Sequence, residues 1–309
     1  MSEILKNVDS RTNLVGQNRL ELLMFQLAGR QKFAINVFKV QEVLTLPKLT
    51  LMPHRNASII GVVHLRGRSL PVIDLSLAIG MKPIQYDENS TIIVTEYNST
   101  VQAFLVGSVD RIVNLNWEQI MPPPSGAGHH HYLTAITQLE EKIIEIIDVE
   151  KVLSEIAPLS TELPDHILED DFVSRLQGKE IVMVDDSLTA HTQAKAIFDK
   201  LGLNVRQAMD GEAGLNLLQK IASESNGPIT ERILMVVTDA EMPKMDGYRL
   251  TTEIRANPAL KDLYIVLHTS LSGAFNQAMV EKVGCDHFLS KFKPEELANI
   301  IKERVMQVN

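Results

Sequence analysis

From Lys179 onward, short apolar runs alternate with amphipathic stretches, and this alternation restricts the possible folds more than any other feature of the chain. "EIVMV", "NVRQA", "RILMVVT", "YIVLHT" and "HFLS" have strand length and a strand-like composition. Between them, "SLTAHTQAKAIFDKLG", "GEAGLNLLQKIAS", "GYRLTTEIRAN" and "GAFNQAMVEKVG" read as helices. "PEELANIIKERVMQ" closes the series with Leu297, Ile300, Ile301 and Val305 in one stripe. Ser187 is placed as the N-cap of the first helix and Gly202 lies just past its end. Five strands alternating with five helices predict a parallel sheet covered on both faces.

In such a sheet, functional groups gather beyond the carboxyl ends of the strands. The sequence sends Asp185 and Asp186 there after the first strand, Asp239 after the third, Thr269 after the fourth and Lys291 after the fifth. Carboxylates brought together raise one another's pKa, and a divalent cation removes that penalty. Mg²⁺ suits such a place, because it prefers hard oxygen ligands and binds through one or two carboxylates plus phosphate. The Lys291 ammonium would neutralise a phosphoryl oxygen and the Thr269 hydroxyl would donate to one. These parts suit phosphoryl transfer to a carboxylate, with Asp239 as the nucleophile.

The first half follows a different pattern. "LELLMFQLAG", "QKFAINVFKV", "IIGVVHLRGRSLPVIDL", "STIIVTEYN", "VQAFLVGSVDRIV" and "KIIEIIDVEKVL" are strand-like runs broken by turn residues, which predicts one or two small β-barrels. No acid–base pair, activated nucleophile or phosphate-cradling loop occurs in this half, as in an interaction module. Residues 157–176 carry two prolines and the cluster Glu169-Asp170-Asp171, a composition suited to a connector, partly helical after Pro164.

At 309 residues the chain has room for two domains. A net charge of −9 gives no basic footprint for nucleic acid. No apolar run approaches the ~18 residues that span a bilayer. The single cysteine, Cys285, leaves no internal disulfide and suits a reducing compartment such as the cytoplasm.

The second half resembles the two-component receiver domain, carried by "VMVDDS" (182–187), "TDAEMPKMDG" (238–247), "LHTS" (267–270) and "FLSKF" (288–292). The resemblance implies a flavodoxin-like fold with Asp239 as phosphoacceptor, and Mg²⁺ held by Asp185, Asp186, Asp239 and the backbone carbonyl of Glu241. Thr269 and Lys291 would bind the phosphoryl group, Phe288 would be the switch aromatic, and the donor would be a phosphohistidine on a partner kinase. The family usually has Lys-Pro with a cis bond where this chain has Lys291-Phe292. A cis bond before a residue other than proline costs about 2.5–4 kcal/mol.

"FAINVFKVQEV" (33–43), "GVVHLRGRSLPVIDL" (61–75), "GSVDRIVNLNWEQIMPPP" (107–124) and "YLTAITQLEEKIIEIIDVEKVL" (132–153) resemble the CheW-type coupling domain of bacterial chemotaxis. That resemblance implies two small five-stranded SH3-like barrels that dock on a chemotaxis histidine kinase, on chemoreceptor tips and on other CheW-like proteins of an array. Arg66 matches the arginine of the family's Leu-Arg-Gly turn, which is implicated in assembly contacts. Coupling domain followed by receiver is the order found in CheV-type proteins. The expected division is an extension over 1–17, a coupling domain over 18–156, a linker over 157–177 and a receiver over 178–309.

The resulting expectation is a cytoplasmic signalling adaptor at receptor arrays that couples chemoreceptors to a histidine kinase and is regulated by, or drains, phosphoryl groups through Asp239, catalysing nothing beyond its own phosphorylation and dephosphorylation. Two rivals are a scaffold with a degenerate receiver and an aspartyl-phosphate hydrolase, whose nucleophile is also followed two residues later by an acid. His129-His130-His131 read as a loop, since adjacent histidines do not supply convergent metal ligands. Trp117 reads as an edge or loop anchor, His268 as a partly buried strand-end residue, and Cys285 as a packed residue.

Overall fold

The computed structural model describes residues 19–53, 56–97, 100–123, 132–158, 162–164, 170–269, 283–291 and 293–308. The stretch "GAFNQAMVEKVG" read as the fourth helix (apart from its last two residues), the His129–His131 run and the Lys291–Phe292 bond lie outside the described residues. The chain divides into two compact units, one over residues 19–158 and one that includes residues 159–309.

The first unit is built on two sheets. One comprises β1 (Arg19–Gln26), β2 (Lys32–Asn36), β8 (Ser108–Asn116), β9 (Ile120–Met121), β10 (Leu133–Leu139) and β11 (Lys142–Ile147), in the order β8-β1-β2-β11-β10-β9. The other comprises β3 (Val40–Thr45), β4 (Ile59–Leu65), β5 (Arg68–Asp74), β6 (Thr91–Tyr97) and β7 (Thr100–Val106), in the order β3-β6-β7-β5-β4. The first sheet has one strand more than the resemblance implies, the two-residue β9 paired to β10.

The unbroken apolar run Leu22–Phe25 in β1 has a direct cause. Successive side chains of a strand point to opposite faces. Leu20, Leu22 and Met24 pack with Ala34, Leu115, Ala135, Ile144 and Ile146 inside the first sheet. Leu23 and Phe25 turn the other way, into a core shared with Val63, Val72, Ile92 and Phe104 of the second sheet. Both faces of β1 are buried, so no polar alternation survives. Two short helices complete the unit: α1 (Leu75–Ala78), capped by Asp74, and α2 (Val149–Ile156), capped by Asp148. The stretch "KIIEIIDVEKVL", expected as one strand-like run, is β11 followed by α2, and Asp148 marks the change.

In the second unit, β12 (Glu180–Val184), β13 (Asn204–Ala208), β14 (Ile233–Thr238), β15 (Ile265–Thr269) and β16 (His287–Ser290) form an all-parallel sheet in the order β13-β12-β14-β15-β16. Its helices are α3 (Asp170–Arg175), α4 (Leu188–Lys200), α5 (Gly211–Glu224), α6 (Ile229–Arg232), α7 (Gly247–Ala256) and α8 (Pro294–Val308). One face of the sheet buries Ile181, Met183 and Val237 against Ala194, Ile197 and Phe198 of α4 and Leu297 and Ile301 of α8. The other buries Val182, Val184 and Val236 against Leu218 and Ile221 of α5 and Leu250 and Ile254 of α7.

The stretch expected as a connector contributes to this unit. Leu163, Phe172 and Leu176 are buried in the core that α4 and α8 form, and the Lys302 ammonium lies 5.8 Å from the centre of the Phe172 ring. The connections diverge between the neighbouring strands β12 and β14, since β12 leads outward to β13 and β14 leads the other way to β15. That is where a parallel sheet opens a crevice at its carboxyl edge.

Candidate functional site

The crevice is lined by acids whose main chains are part of the sheet. The Asp185 N–H donates to Ala208 O at 3.1 Å, and the Asp239 N–H donates to Val184 O at 2.8 Å. Both residues therefore leave their strands at fixed positions, Asp185 at the carboxyl end of β12 and Asp239 at that of the adjacent β14. Asp185 is 1% exposed and Asp239 8%. Asp186 is half-buried. Asp185, Asp186 and Asp239 each bring an oxygen within 4.8 Å of the others, and this is the one such acidic group of three found among the described residues.

Lys291 enters from β16's end with its side chain 1% exposed, and its ammonium bridges the two buried acids. Nζ is 2.7 Å from Asp185 Oδ2 and 3.1 Å from Asp239 Oδ2. Taking an ammonium out of water costs several kcal/mol, so this geometry persists because two carboxylates share the charge. The remaining carboxylate oxygens are held by backbone donors: Asp185 Oδ1 accepts from Ser187 N–H at 2.9 Å, and Asp239 Oδ1 accepts from Ala240 N–H at 2.8 Å. Three carboxylates face one ammonium, which leaves excess negative charge, and the available donors are hard oxygens. That set fits a small divalent cation.

Thr269 ends β15 and is buried, and its carbonyl accepts from the Lys291 N–H at 2.9 Å, coupling the two strand ends. Glu241 lies half-buried in the loop after β14. Phe288 is half-buried on β16 against Ala240, Tyr248 and Leu267. Burial raises the Tyr248 phenol's pKa, and the nearby charges of Glu241 and Asp239 raise it further. The carboxyl edge thus gathers the acidic group and Lys291, with Thr269 and Glu241 on adjoining segments. Arg66 belongs to the other unit. It sits at the tip of the β4–β5 hairpin, 79% exposed on its side chain, with Nη2 2.8 Å from Glu42 Oε2.

Two supporting residues were not foreseen. His191, on the first turn of α4, is buried and places Nε2 2.8 Å from Asp185 O. Burial lowers its pKa and Lys291 lowers it further, against hydrogen bonds to the Asp185 and Ala208 backbones that raise it. The available signal was its position on the inward face of α4 with Ala190, Ala194 and Ile197. Gly247 is the second: a Cβ there would lie 2.0 Å from Asp239 O, so only glycine lets α7 begin directly behind the acid. His268 is buried, Trp117 lies in a 3-10 turn between β8 and β9 and packs against the core of the first sheet, and Cys285 is partly buried with Sγ 3.4 Å from Thr251 Oγ1. Burial raises the Cys285 thiol's pKa.

Comparison with known proteins agrees with this division. Residues 21–157 match the CheW-like domain family, and residues 181–302 match the response regulator receiver domain family. The chemotaxis protein CheV3 of Helicobacter pylori is 30% identical over 298 residues, covering 93% of this chain and 94% of that one. CheV1 of the same organism is 26% identical over 324 residues, covering 98% of each. The chemotaxis protein CheW of Klebsiella aerogenes is 35% identical over 142 residues, covering 45% of this chain and 83% of its own. The chain belongs to the CheV family of chemotaxis proteins, with a CheW-like domain followed by a response regulator receiver domain.

Proposed function

We propose that this chemotaxis adaptor couples receptors to a histidine kinase and is regulated by phosphorylation of Asp239. The single observation that carries the reading is the buried Lys291 ammonium shared between Asp185 and Asp239. An ion pair whose only purpose was stability would do better as apolar packing. One that must release Asp239 to a phosphoryl group has reason to be polar.

In this reading the Asp239 carboxylate attacks the phosphorus of a kinase phosphohistidine. The new O–P bond forms as the P–N bond breaks, and the imidazole leaves with the electron pair. The backbone N–H of Ala240 and the Lys291 ammonium orient the attacking carboxylate and hold the charge of the acyl phosphate. Asp185, Asp186, Asp239 and the Glu241 carbonyl would hold Mg²⁺, which supplies neutralisation of phosphoryl oxygens. The Thr269 hydroxyl donates to the bound phosphoryl group, and its movement opens space for Phe288 to turn inward. Beyond this self-directed chemistry the protein is not an enzyme.

The coupling unit presents Arg66 for partner contact. Arg66 has a φ of +49° at the hairpin tip, a conformation that costs a residue with a Cβ roughly 1–2 kcal/mol. Its guanidinium pairs with Glu42 and is otherwise largely in solvent, poised to exchange that partner for an acidic group on a kinase or receptor. The working location is the cytoplasmic face of a receptor array. Among the described residues no helix is long and apolar enough to cross a membrane.

The test is a reconstituted assembly of chemoreceptor, autophosphorylated histidine kinase and this protein. Labelled phosphate is expected to pass to the wild type and not to Asp239→Asn. Arg66→Glu is expected to weaken co-sedimentation with the assembly while Asp239 still accepts phosphate from small donors. Equal labelling of Asp239→Asn, or unchanged co-sedimentation of Arg66→Glu, contradicts the corresponding half of the reading.

A further inference from the structure

The loop joining β14 to α7 carries both Asp239 and the Glu241 carbonyl, and it is tied down at two places. Gly247, where α7 packs directly on Asp239 O, fixes its far end, with the Gly247 N–H donating to Ala240 O at 3.0 Å. The second tie reaches across to the junction of β13 and α5. Lys244 Nζ lies 2.7 Å from Asp210 Oδ2, and the Gly211 N–H donates to Met245 O at 3.1 Å. The approach is close: a Cβ on Gly211 would lie 2.4 Å from that same Met245 oxygen.

Asp210 is not an ordinary surface acid. It is 6% exposed, and its other oxygen, Oδ1, accepts from Ala213 N–H at 2.8 Å as the N-cap of α5. One carboxylate therefore fixes a helix start with one oxygen and a loop with the other. Lys244 holds a φ of +62°, in the left-handed region that favours glycine. A lysine kept there, with its ammonium aimed at a buried cap, has a role that a loop glycine could not fill. Glu212 is the other acid whose charge reaches Lys244.

We propose that Asp210 and Lys244 form a latch that positions the Glu241 carbonyl for the divalent cation, three residues upstream of the tie. The inference rests on the reading of the acidic crevice as a metal-dependent phosphoacceptor site. Both are positioning residues: they act through the loop and touch no reacting atom.

The test uses the full chain. Asp210→Asn keeps the helix cap, because asparagine caps as well as aspartate, and removes the charge. Lys244→Gln removes the ammonium, Lys244→Arg preserves a cation, and Lys244→Gly relieves the backbone while losing the tie. Two readouts are taken: Mg²⁺ affinity by isothermal titration calorimetry, and amide hydrogen exchange at residues 240–246 in metal-free protein.

Asp210→Asn, Lys244→Gln and Lys244→Gly are each expected to weaken Mg²⁺ binding by about two- to fivefold, the scale of one partly exposed ion pair. Each is also expected to speed exchange in the loop. Lys244→Arg should stay close to wild type. The double variant Asp210→Asn/Lys244→Gln should be no worse than either single one, the mark of a shared interaction. Variants that bind Mg²⁺ as the wild type does, with unchanged loop exchange, overturn the latch and leave the phosphoacceptor reading standing. A wild type with no Mg²⁺ affinity overturns that reading, and the positioning role with it.

Discussion

Replacing Lys291 with methionine isolates the electrostatics of the crevice, since methionine has similar length and adapts to irregular packing. At an effective dielectric near 20, unit charges at the two Nζ–O distances, 2.7 and 3.1 Å, attract by about 6 and 5 kcal/mol. The cost of burying the ammonium offsets much of that sum. Removing one partner of a buried pair also leaves uncompensated charge, which typically costs about 3–5 kcal/mol. We expect Lys291→Met to destabilise the metal-free C-terminal unit by that amount, and Mg²⁺ to restore part of the loss by binding the folded site. Urea unfolding offers two probes, to be read separately in a two-unit chain. Most helical residues lie in the C-terminal unit, so far-UV circular dichroism follows it, while Trp117 is the chain's only tryptophan and reports the other unit. The dichroism transition should move and the fluorescence transition should not. A dichroism shift below about 1 kcal/mol, or equal movement of both probes, refutes the reasoning.

Three further outcomes are expected. Gly247→Ala places a methyl group 2.0 Å from Asp239 O, a backbone atom that cannot swing aside. It should lower the receiver's stability by about 1–3 kcal/mol and slow Asp239 phosphorylation, read by thermal melting and intact mass. In the coupling unit, burial raises the Asp148 carboxyl's pKa and the charge of Glu150 raises it further. The folded state thus holds that proton more tightly than the unfolded chain, and stability from this group falls as pH rises through the folded value. Asp148→Asn keeps the cap on Lys151 N–H and should stabilise the unit at neutral pH, with the gain vanishing in acid when followed by Trp117 fluorescence. Cys285, with its thiol pKa raised by burial, should react slowly with a thiol reagent at mildly alkaline pH in folded protein and quickly in urea.

Much of the C-terminal unit was legible because a parallel sheet buried on both faces leaves long apolar runs and sends its chemistry to one edge. "EIVMV" and "RILMVVT" read as strands for that reason, and the acids after them read as a cluster. The coupling unit was harder. In β1, Leu22 and Leu23 enter different cores, so the sequence shows apolarity without a period that reveals the two sheets. The helix α2 was hidden behind β-branched residues, with only Asp148 to mark the change of structure. The helix α3 falls in the part read as partly helical after Pro164, but proline and acid dominate that stretch, and the spacing of Phe172 and Leu176 did not reveal that they join the core. His191 offered only its place on the inward face of α4 as a signal, and the Asp210–Lys244 tie offered none, because each contact depends on which strand ends become neighbours.

Asp239 chemistry is tested most directly by incubating the full chain with Mg²⁺ and a small phosphodonor, then locating added mass by peptide mapping. One phosphoryl group on the peptide containing Asp239 in the wild type is expected, with none in Asp239→Asn and none when Mg²⁺ is chelated. Equal labelling of Asp239→Asn, or an unlabelled wild type under conditions that phosphorylate a control receiver, would contradict the assignment.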